Sequence, residues 1–173
     1  MYRGHAKFLR SGLLAALIAS LSLSGCASSG MFGSSSFGNT SAKIADLSGS
    51  QPTTTAGALS EARGHFRNNN FGYSAAFYQR AVELSPNDPE GYVGLGASYD
   101  RLGRFDLSDR VYASLHKLSG DTAQYFNNVG YSYMLRGNLT AALTNFRRAL
   151  SLDPNNALIA NNIQILTSTA ARA

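Results

Sequence analysis

The chain holds one cysteine, Cys26, and beyond its N-terminal segment two histidines, His65 and His116. A single thiol excludes an intramolecular disulfide framework and a cysteine-based zinc cluster. Neither histidine stands in a His-Glu-x-x-His run or beside an acidic cluster. Both therefore read as packing or surface residues instead of metal ligands or general bases. Gly91-x-x-Gly94-x-Gly96 has a spacing superficially like a phosphate loop, but it falls inside a helical stretch and follows no strand, so its glycines read as helix-packing positions. The serines lack the surroundings of a nucleophile elbow. Asp100, Asp106 and Asp109 share a stretch with Arg101, Arg104 and Arg110, which reads as a solvated helix face with surface ion pairs. No enzyme is expected from these residues, and no cofactor or metal.

The elements around these residues carry more. Of 173 residues, 44% are hydrophobic and 14% charged, with 15 Lys+Arg against 10 Asp+Glu and a net charge of +5. That length suits one ordinary domain with a tail. Arg3, Lys7 and Arg10 lie in the first ten residues, and without them the tally is 12 basic against 10 acidic. The basicity is thus largely N-terminal, and nucleic acid is not an expected partner. Residues 13–23 form an apolar-to-small run behind those cations. No apolar run reaches the ~18–20 residues of a spanning helix. A charged segment followed by an apolar run of this length is the pattern of a secretory signal peptide. Leu23-Ser24-Gly25-Cys26 then resembles a bacterial lipobox. The resemblance implies a signal peptide over residues 1–25 and lipidation of Cys26 as the first mature residue. A diacylglyceryl cysteine with an added N-acyl chain would anchor firmly, since one chain alone binds reversibly. Ala27 and Ser28 follow with no Asp, which by resemblance to enteric lipoproteins favours the outer membrane, facing the periplasm.

Residues 26–54 are rich in Gly, Ser and Thr and hold too little apolar surface to offset chain entropy. They read as a flexible tether with an r.m.s. reach of ~30 Å. Ile44, Ala45 and Leu47 offer at most one transient helical turn.

Beyond the tether the chain repeats itself. Pro86, Gly120 and Pro154 stand 34 apart, as do Gly96 and Gly130, Tyr99 and Tyr133, and Gly103 and Gly137. The same step carries Tyr78 to Tyr112 to Phe146 and Ala81 to Leu115 to Ala149. This period with fixed small, aromatic and proline positions resembles the tetratricopeptide repeat (TPR) family. The expected fold is an all-α solenoid of three helical hairpins, 55–88, 89–122 and 123–156, closed by a C-terminal helix and tail over 157–173. Gly103 and Gly137 should end the first helix of their hairpins in a left-handed cap, with Asn69 or Asn70 doing so in the first. Asp88-Pro89 should start a helix, and Gly120-Asp121 should supply a stop and a cap. Ala62, Gly96 and Gly130 should let paired helices approach. In the last helix Leu158, Ile159, Ile163 and Leu166 should pack, with Asn161, Asn162 and Thr167 outward.

The TPR resemblance implies a concave groove lined by the first helix of each hairpin. Carried over position by position, it places there Arg63 and Phe66, then Val93, Ala97 and Asp100, then Asn127, Tyr131 and Met134, with Asn161 and Ile165 on the last helix. Leu59 and Gln124 stand where some TPR domains carry carboxylate-clamp lysines, so a terminal carboxylate is not the expected ligand. Asn side chains can instead bind an extended peptide backbone. Lipobox, tether and three repeats together resemble the TPR lipoprotein of the tight-adherence (Flp/Tad) pilus assembly system. That implies a protein-binding adaptor of the cell envelope with a secretin subunit as partner. The same combination occurs in adaptors for peptidoglycan hydrolases and in type IV pilus pilotins. The sequence leaves the oligomeric state open.

Overall fold

The computed structural model describes residues 43–49 and 51–170; Cys26, the 1–25 signal segment and residues 26–42 of the tether lie outside the described residues. Among the described residues the order is α1 (Thr55–Arg67), α2 (Phe71–Leu84), α3 (Pro89–Arg101), α4 (Phe105–Ser119), α5 (Ala123–Leu135), α6 (Leu139–Leu152) and α7 (Ala157–Ala170). Three antiparallel hairpins and a closing helix result, as the 34-residue period requires.

Local chemistry sets the boundaries. Thr54, Asp88 and Thr122 cap α1, α3 and α5, each side chain accepting from a backbone N–H of the first turn, and Pro89 takes the first helical position of α3. Gly120 does end α4, at φ 66°, but the cap of α5 falls on Thr122 and not on Asp121. Asp121 turns instead to His116, 2.7 Å away, and to Arg148. Gly103 and Gly137 adopt φ 68° and 77° behind α3 and α5, and Asn69, at φ 58°, takes the same left-handed place behind α1.

The odd-numbered helices α1, α3, α5 and α7 touch in succession, whereas α2, α4 and α6 make no contact with one another among the described residues. The stack therefore bends with α1, α3, α5 and α7 on its inner side. Close approach within each hairpin rests on small residues. Ala62 is fully buried. A Cβ on Gly96 would come within 2.6 Å of the Tyr112 ring, and one on Gly130 within 2.8 Å of Phe146. One apolar cluster runs through α1 to α3, from Ala58 and Leu59 to Tyr78, Leu95 and Tyr99, ending at Leu102. A second gathers Ala142, Phe146 and Leu166 of the third hairpin and α7.

Two expectations are corrected. Residues 43–49 form neither tether nor helical turn: Ala45 N–H donates to Gly72 O at 3.1 Å, and Ile44 and Leu47 pack against the first apolar cluster. Arg80 Nε donates to Pro52 O, extending the strap along α2. Gly72 is needed there, because a Cβ would lie 2.4 Å from Lys43 O. On α7, Ile159 and Leu166 are buried and Ile163 packs on the second cluster, but Leu158 is 61% exposed. Asn162 faces inward, its Nδ2 donating to Asn127 Oδ1 at 2.8 Å. An acceptor on α5 thus turns this helix so that an amide is covered and a leucine is not.

Candidate protein-binding groove

The inner face collects side chains from the four helices that line the bend. Of the expected groove residues, Tyr131, Asn161 and Ile165 are exposed on α5 and α7, and Arg63 on α1. Val93, Ala97 and Asn127 are half-buried on α3 and α5. Arg63 is not a free cation, since its guanidinium pairs with Glu90 of α3. That pair is about half exposed on both sides, so it contributes at most ~1 kcal/mol and can be exchanged for a partner's carboxylate. The Asn127 oxygen is engaged by Asn162, which leaves the amide nitrogen of Asn127 as its remaining hydrogen-bonding end. Tyr131 is 37% exposed and combines an apolar ring with a polar tip.

Of the other expected groove residues, Phe66 and Met134 are half-buried like Val93 and Ala97, and Asp100 is enclosed by the fold. Phe66 packs edge-on against Phe71 of its own hairpin, with ring centroids 5.3 Å apart. Met134 is half-buried against the Ala142–Phe146–Leu166 cluster. Asp100 is 1% exposed, so it belongs neither to a groove surface nor to a solvated face. Tyr112 OH donates to Asp100 Oδ2 at 2.9 Å and Ser132 Oγ donates to Oδ1 at 2.6 Å. Burial pushes the Asp100 carboxyl above its ordinary range, against the opposing pull of hydrogen bonds from Ser108, Ser132 and Tyr112 and of the Arg136 charge. Tyr112 is pushed well up in turn, by burial first and then by the Asp100 charge.

This polar cluster was not foreseen, although a signal existed. The repeat puts apolar Phe66 and Met134 at the positions equivalent to Asp100, so a lone carboxylate there has to find partners inside the fold. Around it, Arg136 at the end of α5 donates to Asp109 at 2.8 and 3.1 Å and to Ser132 Oγ at 2.7 Å. Asn128 Nδ2 and Arg136 Nε, both at α5, are buried without an acceptor among the described residues. Each such donor costs on the order of 1–3 kcal/mol. The histidines lie apart from this cluster, and His116 pairs with Asp121 at the surface. His65 stacks on Tyr73 and on Phe77, and His116 stacks on Tyr125. Among the described residues no three His, Cys, Asp or Glu side chains gather as a metal site.

Comparison with known proteins supports the same architecture. The TPR repeat family matches residues 130–163, from the middle of α5 into α7. The small glutamine-rich tetratricopeptide repeat-containing protein 2 of Mycosarcoma maydis is 24% identical over 110 residues, covering 60% of this chain and 31% of that protein. The chain thus spans about a third of that curated relative. The NMR structure of the first TPR domain of human RPAP3 aligns with a TM-score of 0.60 at 17% identity, covering 68% of this chain and 93% of that one. The Yersinia enterocolitica type III secretion chaperone SycD, solved with a peptide of the translocator YopD, aligns with a TM-score of 0.55 at 16% identity, covering 66% and 93%. At these identities the likeness is one of fold: the described residues form a TPR solenoid.

Proposed function

From a TPR solenoid whose inner face keeps exposed side chains, we propose that this chain is a non-enzymatic, lipid-anchored adaptor that holds an extended segment of another envelope protein. The observation that carries the reading is the inner face itself. Arg63, Tyr131, Asn161 and Ile165 are exposed on its helices, and Val93, Ala97 and Asn127 are half-buried there. A preformed wall of this kind lowers the ordering cost of a bound segment, and Asn and Tyr can meet both its backbone and its side chains. The SycD chaperone, similar in fold, was solved with a peptide of its translocator. The lipobox-like Leu23-Ser24-Gly25-Cys26 supports an anchor at Cys26 on the outer membrane, with the solenoid in the periplasm. The resemblance to Flp/Tad pilus lipoproteins makes a secretin subunit the partner of choice.

The test joins anchor and groove. Labelled palmitate should enter the native chain and not Cys26→Ser, whose precursor should remain uncleaved or mislocalised. A photo-crosslinker in place of Tyr131 should capture a secretin subunit in cells. Capture of a peptidoglycan hydrolase would move the adaptor to cell-wall remodelling. Equal labelling of Cys26→Ser would refute the anchor.

A further inference from the structure

We propose that the solenoid is jointed: the first two hairpins form one body, the third hairpin with α7 forms another, and the crevice between α4 and α5 is the hinge. The two inter-hairpin junctions are built from different materials. At the first, Gly91 and Gly94 of α3 admit α2 so closely that a Cβ would lie 2.9 Å from Val82 and 2.1 Å from the Tyr78 ring. One apolar cluster is continuous across it. Thirty-four residues on, Tyr125 and Asn128 stand in place of those glycines and His116 in place of Val82. Bulk there holds α5 off α4, so the two helices touch sparsely where α2 and α3 pack along most of their length. A cleft of about 230 Å³ opens between them, lined by Tyr112, Ala113, Tyr125, Val129, Tyr133 and Arg136. Tyr112 turns back to its own hairpin, against Gly96 and Asp100.

Hydrogen bonds and ring contacts span this gap. Ser132 reaches back to Asp100, Arg136 to Asp109 and over the Phe105 ring, and Tyr125 lies on His116. The buried faces of α5 are Gly130 and Ser132, with no large apolar residue among them. Asn128 Nδ2 and Arg136 Nε lack acceptors in this arrangement. A close-packed apolar junction has one good fit, whereas hydroxyl, carboxylate and guanidinium groups can exchange partners as the gap widens. Val93 and Ala97 of the groove lie on one side of the joint and Asn127 and Tyr131 on the other, so its angle sets the width of the inner face.

The hinge is read in the chain alone, so its failure would leave the groove untouched. In the full-length chain carrying Cys26→Ser, spin labels at Gln79 and Thr144 report across the joint, and labels at Gln79 and Arg110 report within the first body. Pulsed-dipolar distance distributions should be at least twofold broader for the first pair. Ser132→Ala should broaden it further and leave the Gln79–Arg110 pair unchanged. If Ser132→Ala lowers helix content, Asp109→Ala, which cuts the Arg136 bridge, takes its place. Equal widths for the two pairs, or no response to cutting a bridge, would overturn the hinge.

Discussion

Gly94→Ala isolates the packing that joins the first two hairpins. A Cβ built on Gly94 meets three atoms of the Tyr78 ring at 2.1, 2.2 and 2.5 Å, where ordinary contact begins at 3.4 Å. The ring or α3 must therefore move by more than 1 Å. Tyr78 is only 7% exposed and belongs to the apolar cluster of α1–α3, so it has no open side to move into. Overpacking of this kind costs about 1–3 kcal/mol. Replacing a mid-helix glycine with alanine returns about 1 kcal/mol of helix propensity. The net expectation is a loss of up to about 2 kcal/mol, or up to several degrees in Tm for an ordered region of this size. Gly64→Ala is the internal control, because it lies inside α1 with nothing within 4 Å of the new Cβ. That variant should gain up to about 1 kcal/mol. Urea and thermal unfolding followed by circular dichroism would measure both. If Gly94→Ala stabilised the chain as much as Gly64→Ala, the close approach of α2 and α3 would be refuted.

The buried carboxylate makes a pH-dependent prediction. Because folding raises the Asp100 pKa above its ordinary value near 3.8, its contribution to stability is full below that value and is lost as pH rises through the folded value. Asp100→Asn should therefore gain in Tm relative to the native chain between pH 4 and pH 7, and a pH-independent difference would count against burial of the charge. Gly72→Ala should push the 43–49 strap from α2, raising its amide exchange and lowering stability by about 1 kcal/mol; unchanged exchange at Ala45 would show that the strap does not dock there.

The fold was legible because each hairpin repeats the same physical requirements. A left-handed cap needs Gly103, Gly137 or Asn69, a crossing needs Ala62, Gly96 or Gly130, and a fixed spacing of 34 brings them into register. What failed was whatever depended on a neighbour instead of on the period. Asp100 shares a charged stretch with Asp106 and Arg104, and nothing nearby in sequence shows that Tyr112 and Ser132 will enclose it. The apolar residues of α7 permit more than one buried face, and the choice was made by Asn127 accepting from Asn162. The strap read as tether because glycine and serine dominate around it, yet Ile44 and Leu47 suffice to dock it once Gly72 clears the way. Of the groove positions read from the sequence, Arg63, Tyr131, Asn161 and Ile165 are exposed, Phe66 and Met134 are half-buried, and Asp100 alone was enclosed by partners on other helices.

The central claim is that the inner face binds a protein segment, and the affinity of two single variants for the partner captured by the Tyr131 crosslinker tests it most directly. Tyr131 is exposed on α5 of the inner layer and Arg147 is exposed on α6 of the outer layer. Truncating an aromatic enclosed by a partner costs about 2 kcal/mol, roughly thirtyfold in Kd. Titration of the purified chain should show Tyr131→Ala weakened by about that factor with helix content intact, and Arg147→Ala close to native. Equal losses for the two variants, or a loss confined to Arg147→Ala, would put the binding surface on the outer helices and contradict the account.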